Sequence, residues 1–243
     1  MIKNFLKSLK NPVKALRFIE FMLKYKFKKK EGILIFIGMD PDGMFNLMHQ
    51  GFEKCYGFEA NPERFKKIEK KYKNHKNIFL YNVAVAGYDG EVTFNISNNN
   101  NGASSSIGNF DENWKEMYGD KKIKMLKSIT VPCINLYNFI KNQNINFIDE
   151  YFSDIQGMDL EVLKSLKPMI DSKKIRVITS EVTINGKKNI YNDLPDNSFA
   201  GFNDLLHKNY KLNARGWGAL RDGFIEDIPE EVWEIDCKWI LKS

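Results

Sequence analysis

The segment of residues 31–62 constrains the fold more than any other part of the chain. It begins with an apolar run of strand length, residues 33–37, followed by Gly38, a turn that ends at Gly43, and a segment of helical length. A second short strand, residues 55–58, leads into Glu59, which follows Gly38 by 21 residues. In a nucleoside-binding crevice the glycines let the backbone approach the ligand, and an acid about 20 residues further on binds the ribose hydroxyls. The segment therefore predicts a nucleoside-binding βαβ unit.

The turn from Gly38 to Gly43 differs from a dinucleotide-binding turn. It lacks the three-glycine fingerprint, and the carboxylates of Asp40 and Asp42 would repel a pyrophosphate but attract a cation. A nicotinamide-dependent dehydrogenase is therefore disfavoured. On these residues alone a second interpretation stays open, in which the glycines only form the turns of an ordinary βαβ unit.

Composition is typical of a soluble globular protein. The 243 residues fit one α/β domain, and 43% hydrophobic with 28% charged residues is ordinary for such a domain. No apolar run approaches the about 20 residues of a membrane span, and the first residues do not form a secretory signal. The three cysteines, Cys55, Cys133 and Cys237, lie far apart, and the three histidines are equally scattered. We therefore expect reduced thiols, a cytoplasmic protein and no metal site built from protein ligands.

The first thirty residues carry much of the net charge of +6, with ten Lys or Arg residues against Glu20 alone. Asn11 and Pro12 are typical of a helix start, and apolar residues then recur at helical spacing. We expect a basic helical extension over residues 1–30 and a single domain over residues 31–243. The apolar face would pack on the sheet or on a second subunit of a homo-oligomer. The basic face fits contact with anionic lipid or nucleic acid, and equally a solvated surface.

The rest of the chain alternates strand and helix patterns, which predicts a mainly parallel sheet. Strand patterns end at Gly38, Glu59, Asp154 and Glu181. Ligands bind beyond the carboxyl ends of the strands in such a sheet, so these four residues are expected at one rim. A last alternating segment, residues 233–241, predicts an antiparallel strand at the edge of the sheet.

Three further segments carry specific predictions. Residues 78–85 form one strand pattern, and residues 128–131 form another, which Pro132 should confine to an edge. Residues 97–108 are small and polar, so they form either a disordered excursion or a lid rich in hydrogen-bonding groups. Tyr191 and Trp217, in turn-rich segments, either stack on a sugar ring or plug the end of the sheet.

Two runs make the chain similar to a known family. Residues 57–62, GFEANP, and residues 154–164, DIQGMDLEVLK, resemble the FkbM-type methyltransferases, and the resemblance extends over about residues 33–210. It implies an α/β, Rossmann-like class I methyltransferase fold, with a mainly parallel seven-stranded sheet, an antiparallel edge strand and helices on both faces. It also implies S-adenosylmethionine as the cofactor and O-methylation of a hydroxyl of a sugar, a glycan or a related small molecule as the reaction.

The resemblance assigns cofactor contacts to particular positions. The turn after the first strand would wrap the methionine part, Glu59 would bind the ribose, and the end of the third strand would flank the adenine. Asp154 would lie beside the transferable methyl group. Independently of the family, Asp40 or Asp42 and Asp154 suit the positive sulfonium. The predicted cofactor-binding residues are Gly38, Asp40, Gly43, Glu59, Asn82, Val83, Ala84 and Asp154.

Asp154 and Glu181 are the candidate catalytic residues. Methyl transfer to a hydroxyl requires that the acceptor oxygen be held against the methyl group and that its proton leave, and both residues end strands at the rim. Asp159 is a weaker candidate, because its position equally fits a helix start. Glu181 equally fits a carboxylate that ends a strand and pairs with a lysine.

Three features depart from the family pattern. The turn after the first strand is one residue longer and contains Pro41, Gln156 stands where a second acid is common, and Tyr137 stands where an aspartate is usual. The longer turn keeps open a second hypothesis, a catalytically weak or inactive cofactor-binding module of the same fold. A nucleic-acid methyltransferase is a third hypothesis, disfavoured because the basic residues precede residue 31 instead of lining the rim. We therefore expect a small-molecule or glycan acceptor.

Overall fold

The structure is a computed structural model of the chain. It describes residues 19, 23, 25–27, 29–99, 101–112, 123–184, 186–187, 190–216, 223–224, 230 and 232–243. Residues 1–18, which include the predicted helix start at Asn11 and Pro12, lie outside the described residues, and so does Trp217. The two-part division at residue 30 therefore stays a prediction. No described helix has the length and apolar character that crossing a membrane requires.

The first part of the chain alternates short strands and helices before a run of strands. Its elements are β1 (Ile33–Ile37), α1 (Phe45–Met48), β2 (Lys54–Phe58), α2 (Pro62–Tyr72), β3 (Ile78–Tyr81), β4 (Ala84–Ala86), β5 (Gly90–Ser97) and β6 (Asn109–Phe110). The helical segment predicted after the first turn is confirmed, but it comprises only α1 and a short 3-10 helix (His49–Gly51).

The second part contributes the remaining helices and the strands that complete the sheet. Its elements are β7 (Met125–Asn135), α3 (Leu136–Asn142), β8 (Ile148–Ser153), α4 (Asp159–Ser165), α5 (Lys167–Asp171), β9 (Ile175–Thr183), β10 (Tyr191–Asn192), α6 (Phe199–Leu206), β11 (Tyr210–Gly216), β12 (Gly223–Phe224) and β13 (Glu234–Leu241). Asp159 opens α4, as expected for a residue at a helix start.

The central sheet contains eight strands in the order β12-β11-β13-β9-β8-β1-β2-β3. The pairs from β3 to β9 are all parallel. Seven strands form the predicted mainly parallel sheet, and the two-residue β12 is added at one edge. β1 pairs with β2 on one side and β8 on the other, so the strand order reverses at β1. Open α/β sheets bind ligands at such a switch point.

The antiparallel strand does not lie at the edge, contrary to the prediction for residues 233–241. β13 pairs with β9 on one side and with β11 on the other, and both pairings are antiparallel. The alternating pattern reports which faces of a strand are buried, but it carries no information about which strands are its neighbours. The position of β13 is therefore a tertiary result.

A separate three-stranded sheet, in the order β4-β7-β5, corrects two strand predictions. Residues 78–85 do not form one strand, because the chain leaves the central sheet after β3 and joins the small sheet at β4. β7 is the central strand and continues through Pro132. Its pairing with β4 begins only at Cys133, so the missing N–H of Pro132 does not interrupt that ladder.

The core lies on both faces of the central sheet, as the fold prediction requires. Ile35 and Ile37 face one apolar cluster with α3 and α4, whereas Leu34 and Phe36 face another with α1 and α2. This division follows from the alternation of side chains along a strand. Helices on both faces are therefore confirmed, and the two packed layers hold the carboxyl ends of β1, β2 and β8 at one rim.

Candidate functional site

A cleft opens at the carboxyl ends of β1, β2 and β8, and the empty space within it and at its open mouth is about 740 Å³. Its polar lining side chains are Asp40, Glu59, Arg64, Ser105, Asp154 and Gln156. Apolar residues, among them Val83, Ile107 and Met158, form part of the wall. A mostly apolar cleft with a few convergent polar groups at a switch point is the usual form of a small-molecule site in this architecture.

Gly38 allows the ends of β1 and β8 to approach each other. Its φ is +81°, and a Cβ at this position would lie 1.9 Å from the backbone oxygen of Asp154. The Gly38 N–H donates to the carbonyl of Phe58 at 3.0 Å. Only glycine adopts this conformation without strain and fits this space, so the residue type is dictated by the geometry of the cleft.

The two acidic side chains of the turn after β1, Asp40 and Asp42, point in different directions. The Asp42 N–H donates to the Asp40 carboxylate at 2.7 Å, and the Gly43 N–H donates to the Asp40 carbonyl at 3.1 Å, which closes the turn. Asp40 lines the cleft, whereas the Asp42 side chain is 90% exposed and lies 3.7 Å from Lys71. The choice between Asp40 and Asp42, which the sequence left open, therefore favours Asp40. Gly43 is outside the cleft wall.

Glu59 is buried at the end of β2, where one carboxylate oxygen accepts a hydrogen bond from the Asn61 N–H at 2.7 Å. The other oxygen lies 3.6 Å from Nε of Arg64. Burial raises the pKa of Glu59 to about 7, and the Arg64 charge and the Asn61 N–H oppose that rise. The carboxylate thus stands in the place predicted for the ribose acid, with a cation beside it.

Arg64 is the site residue that sequence reasoning missed. Arg64 lies in the first turn of α2, whose start is capped by the Asn61 side chain and contains Pro62. The buried stripe of α2 is Arg64, Ile68 and Tyr72, spaced by four residues, with Arg64 nearest the cleft. A charged residue in phase with a buried helical stripe is the signal that would have revealed it.

Asp154, Gln156 and Glu181 form one hydrogen-bonded group. The Gln156 Nε2 donates to Asp154 Oδ1 at 2.8 Å and to Glu181 Oε2 at 2.9 Å, and the Tyr191 hydroxyl donates to Gln156 Oε1 at 2.6 Å. Gln156 has a φ of +59°, which is rare for a residue other than glycine and concentrates at functional sites. The structure thus brings together the two predicted bases through a residue that departs from the family pattern.

Burial sets the protonation of this pair. It raises the pKa of Asp154, while the Gln156 amide opposes the rise, and it raises the pKa of Glu181 well above its ordinary value, with the Asp154 charge acting in the same direction. Asp154 lines the cleft, whereas Glu181 is reached through Gln156. Two interacting carboxyl groups titrate as one unit, so this pair can hold one proton between its two members.

The end of the third strand pattern contributes to the cleft in part. Val83 and Ala84 line it, but the Asn82 side chain donates to the carbonyl oxygens of Glu59 and Ala60, at 2.8 and 3.3 Å. Asn82 therefore fixes the backbone that carries Glu59. Contact of these three residues with adenine stays a prediction.

The polar segment of residues 97–108 is packed against the cleft, so the alternative of a disordered excursion is wrong for its described residues. The backbones of Asn95 and Ser106 form reciprocal hydrogen bonds, the Ser97 N–H donates to the Ser105 hydroxyl, and the Ser106 hydroxyl donates to the carbonyl of Gln156 at 2.8 Å. Ser105 lines the cleft. The segment therefore links the cleft wall to the turn after β8, where Gln156 contacts both acids.

The donor set of the cleft fits S-adenosylmethionine. Asp40, Glu59 and Asp154 supply carboxylates for ribose hydroxyls and a sulfonium, and Arg64 Nε and Nη1 are buried without hydrogen-bond partners among the described residues. The apolar wall suits an adenine ring. Among the described residues, no group of three or more histidine, cysteine, aspartate or glutamate side chains is arranged to hold a metal ion.

Comparisons with known proteins point to one family. A family model, the methyltransferase FkbM domain, matches residues 39–212. The chain is similar in structure to the methyltransferase FkbM from Methylobacillus flagellatus KT, with 9% identity and a TM-score of 0.48, over 86% of this chain and 43% of that one. It is also similar to the N-methyltransferase NodS from Bradyrhizobium japonicum WM9, with 7% identity and a TM-score of 0.46, over 96% and 98% of the two chains.

A third similar structure is magnesium protoporphyrin IX methyltransferase (ChlM) from Synechocystis PCC 6803 with bound SAM, with 8% identity and a TM-score of 0.45, over 99% of this chain and 82% of that one. No curated protein matches the chain. The chain spans less than half of the length of the Methylobacillus flagellatus protein.

The mainly parallel sheet, with an acid-lined cleft at its switch point, has the architecture of a Rossmann-like class I methyltransferase. Because the family model covers most of the domain, the chain belongs to the FkbM methyltransferase family. The predictions of this family, of methyl transfer as the activity and of S-adenosylmethionine as the cofactor are thereby confirmed. The roles of the individual site residues stay predictions.

Proposed function

We propose that the protein transfers a methyl group from S-adenosylmethionine to a hydroxyl of a sugar, a glycan or a related small molecule. The observation that carries this proposal is the Asp154–Gln156–Glu181 group beside the cleft. A hydroxyl must lose its proton when its oxygen is methylated, so a base near the acceptor is required. Two carboxyl groups with raised pKa values, linked by one amide, supply that function.

The residues of the cleft divide the work between binding and proton transfer. Glu59 binds the ribose hydroxyls, and Asp40 and Asp154 interact favourably with the positive sulfur. Bound S-adenosylmethionine supplies an activated methyl group to an acceptor held in line with it. The pair of Asp154 and Glu181 would take the proton of the acceptor hydroxyl as the oxygen–methyl bond forms and the methyl–sulfur bond breaks, which leaves S-adenosylhomocysteine.

The Gln156 amide donates to both carboxyl groups and so offsets the repulsion between them. Without its amide, two neighbouring negative charges would repel each other, and one group would hold its proton more strongly. The Tyr191 hydroxyl fixes the amide so that Nε2 points at both acids. Tyr191, which the sequence offered as a sugar-stacking residue, is thus engaged with the acid pair through its hydroxyl.

The test is transfer of a tritiated methyl group from S-adenosylmethionine to a panel of acceptors. The panel contains neutral sugars, amino sugars, oligosaccharides and RNA of mixed sequence. We expect transfer to a hydroxyl of a sugar or glycan, with at least a hundredfold loss in Glu181→Gln. Glu63→Gln is the matched control, because Glu63 is an exposed carboxylate whose partner is Lys127. Transfer to RNA alone, or cofactor binding without any transfer, would refute the proposal.

Localisation in the cytoplasm, association into a homo-oligomer and contact of the basic extension with a membrane stay predictions from the sequence. Each has a direct measurement: cell fractionation, light scattering of the purified protein, and sedimentation with anionic vesicles. Sedimentation also separates a lipid-binding extension from a solvated one. A lipid-binding extension should sediment with the vesicles at low salt and be released as the salt concentration rises, whereas a solvated one should not bind them.

A further inference from the structure

We infer that Arg64 is a positioning residue for the cofactor, because it ties the turn after β1 to the carboxylate of Glu59. Its Nη2 donates to the carbonyl of Met39 and to the Asp40 carboxylate, both at 3.2 Å. Its Nε lies 3.6 Å from Glu59 Oε2. One guanidinium therefore contacts both elements that the cofactor is proposed to touch. The inference rests on the proposed role of Glu59 in ribose binding.

The burial of Arg64 indicates that these contacts are specific. Its side chain is 8% exposed, in contrast to the lysines on the outer face of α2. A buried guanidinium is stable only when its charge is paired, and a planar fork can bind two acceptors at fixed angles. Ile68 and Tyr72 anchor the same face of α2 in the apolar core. The helix thus presents Arg64 to the cleft from a rigid base.

The two oxygens of the Asp40 carboxylate are held from two sides. The Asp42 N–H of the same turn donates to Oδ1, and Arg64 contacts Oδ2 from outside the turn, which is one residue longer than usual in the family. The contacts from Arg64 to Met39 and Asp40 hold the start of the turn against β2. A longer turn can therefore still present its acid to the cleft.

Arg64 also acts on the charge of Glu59. The charged groups that face Glu59 are Arg64, which favours the ionised form, and Asp40 and Asp154, which disfavour it. The ionised form accepts both ribose hydroxyls. Burial places the pKa of Glu59 at about 7, so removal of the Arg64 charge moves this pKa further upward. Ribose binding would then require a higher pH.

The experiment measures calorimetric binding of two probes, S-adenosylhomocysteine and 5′-methylthioadenosine. Both probes carry adenine and ribose, but only the first carries an α-carboxylate. Arg64→Met and Glu59→Gln should each weaken both probes by about 10- to 100-fold, the range for loss of a charged hydrogen bond. In the double variant, Arg64→Met should increase the loss of affinity caused by Glu59→Gln by less than about threefold, because the two residues act as one unit.

The pH dependence separates positioning from simple structural support. Wild-type affinity should fall as the pH drops through about 7, where Glu59 gains its proton. In Arg64→Met the fall should move to higher pH. Arg64→Lys keeps the charge but not the planar fork, so its fall in affinity should stay at a pH close to that of the wild type. Lys71→Met is the matched control, since Lys71 contacts Pro41 and Asp42 from the exposed side of the same turn. It should change neither affinity nor pH profile.

Three outcomes would overturn the inference. Loss of S-adenosylhomocysteine binding with unchanged methylthioadenosine binding would show that Arg64 contacts the α-carboxylate directly. Additive losses in the double variant would show that Arg64 does not act through Glu59. A wild-type protein that binds neither probe would refute the cofactor site itself, and the proposed function with it. If Arg64→Met does not fold, as judged by circular dichroism, Arg64→Lys decides. Loss of S-adenosylhomocysteine binding with unchanged methylthioadenosine binding, or a fall in affinity at a pH unlike that of the wild type, would refute the inference.

Discussion

Gly38 allows a sharp test of how the cleft is built. In Gly38→Ala the new Cβ would lie 1.9 Å from the backbone oxygen of Asp154, in a residue whose φ is +81°. The positive φ costs an alanine about 1–2 kcal/mol. The steric overlap adds about 1–3 kcal/mol, because a backbone atom cannot rotate away as a side chain can. We therefore expect a loss of about 2–5 kcal/mol in the free energy of unfolding.

Gly186 provides the matched control, because it has the same φ of +81° and a Cβ added there would have no atom of the described residues within 4 Å. Gly186→Ala should lose only the conformational part, about 1–2 kcal/mol. Urea unfolding of both variants and of the wild type measures the difference. Gly38→Ala should also weaken S-adenosylhomocysteine binding, because Asp154 must shift. Equal losses of stability in the two variants would refute the claim that β1 and β8 meet at a sterically closed point.

Three further predictions concern charge. The pKa values of Asp159 and Glu234 are raised by burial to about 7 and about 8, so the folded protein binds protons that the unfolded chain releases. The free energy of unfolding should then fall as the pH rises from about 5 to about 8, and urea unfolding with no such fall would contradict this. Gln156→Leu should lower kcat by at least tenfold and change its pH profile, with little effect on cofactor affinity; an unchanged profile would contradict the role of the amide. Asp40→Asn should weaken the binding of S-adenosylmethionine more than the binding of S-adenosylhomocysteine, whose sulfur is neutral. Asp42→Asn should change neither affinity, as measured by calorimetry.

Local signals were enough to predict the first βαβ unit. Gly38 and Glu59 are separated by a turn, a helix and a strand whose lengths follow from periodicity, so their placement at one rim follows from the parallel sheet. The start of α2 was equally predictable, because Asn61 and Pro62 act within one helical turn.

Predictions failed where the answer depended on distant partners. Residues 78–85 have the pattern of one strand, but the chain changes sheets between β3 and β4. The terminal strand alternates as an edge strand would, yet it is inserted between β9 and β11. The alternation of apolar and polar residues shows which face of a strand is buried. Which strands pair with it depends on the packing of the whole sheet.

The sequence by itself therefore determined the class of fold, the family and the placement of Gly38 and Glu59 at the cleft, because these depend on order and spacing along the chain. The tertiary structure alone decided that Asp40 and not Asp42 faces the cleft, that Arg64 braces the turn against Glu59, and that Gln156 joins Asp154 to Glu181. The physical reason is separation. Gln156 and Glu181 are 25 residues apart and Arg64 and Asp40 are 24 apart, so only the packed sheet and helices bring their polar atoms within hydrogen-bonding distance.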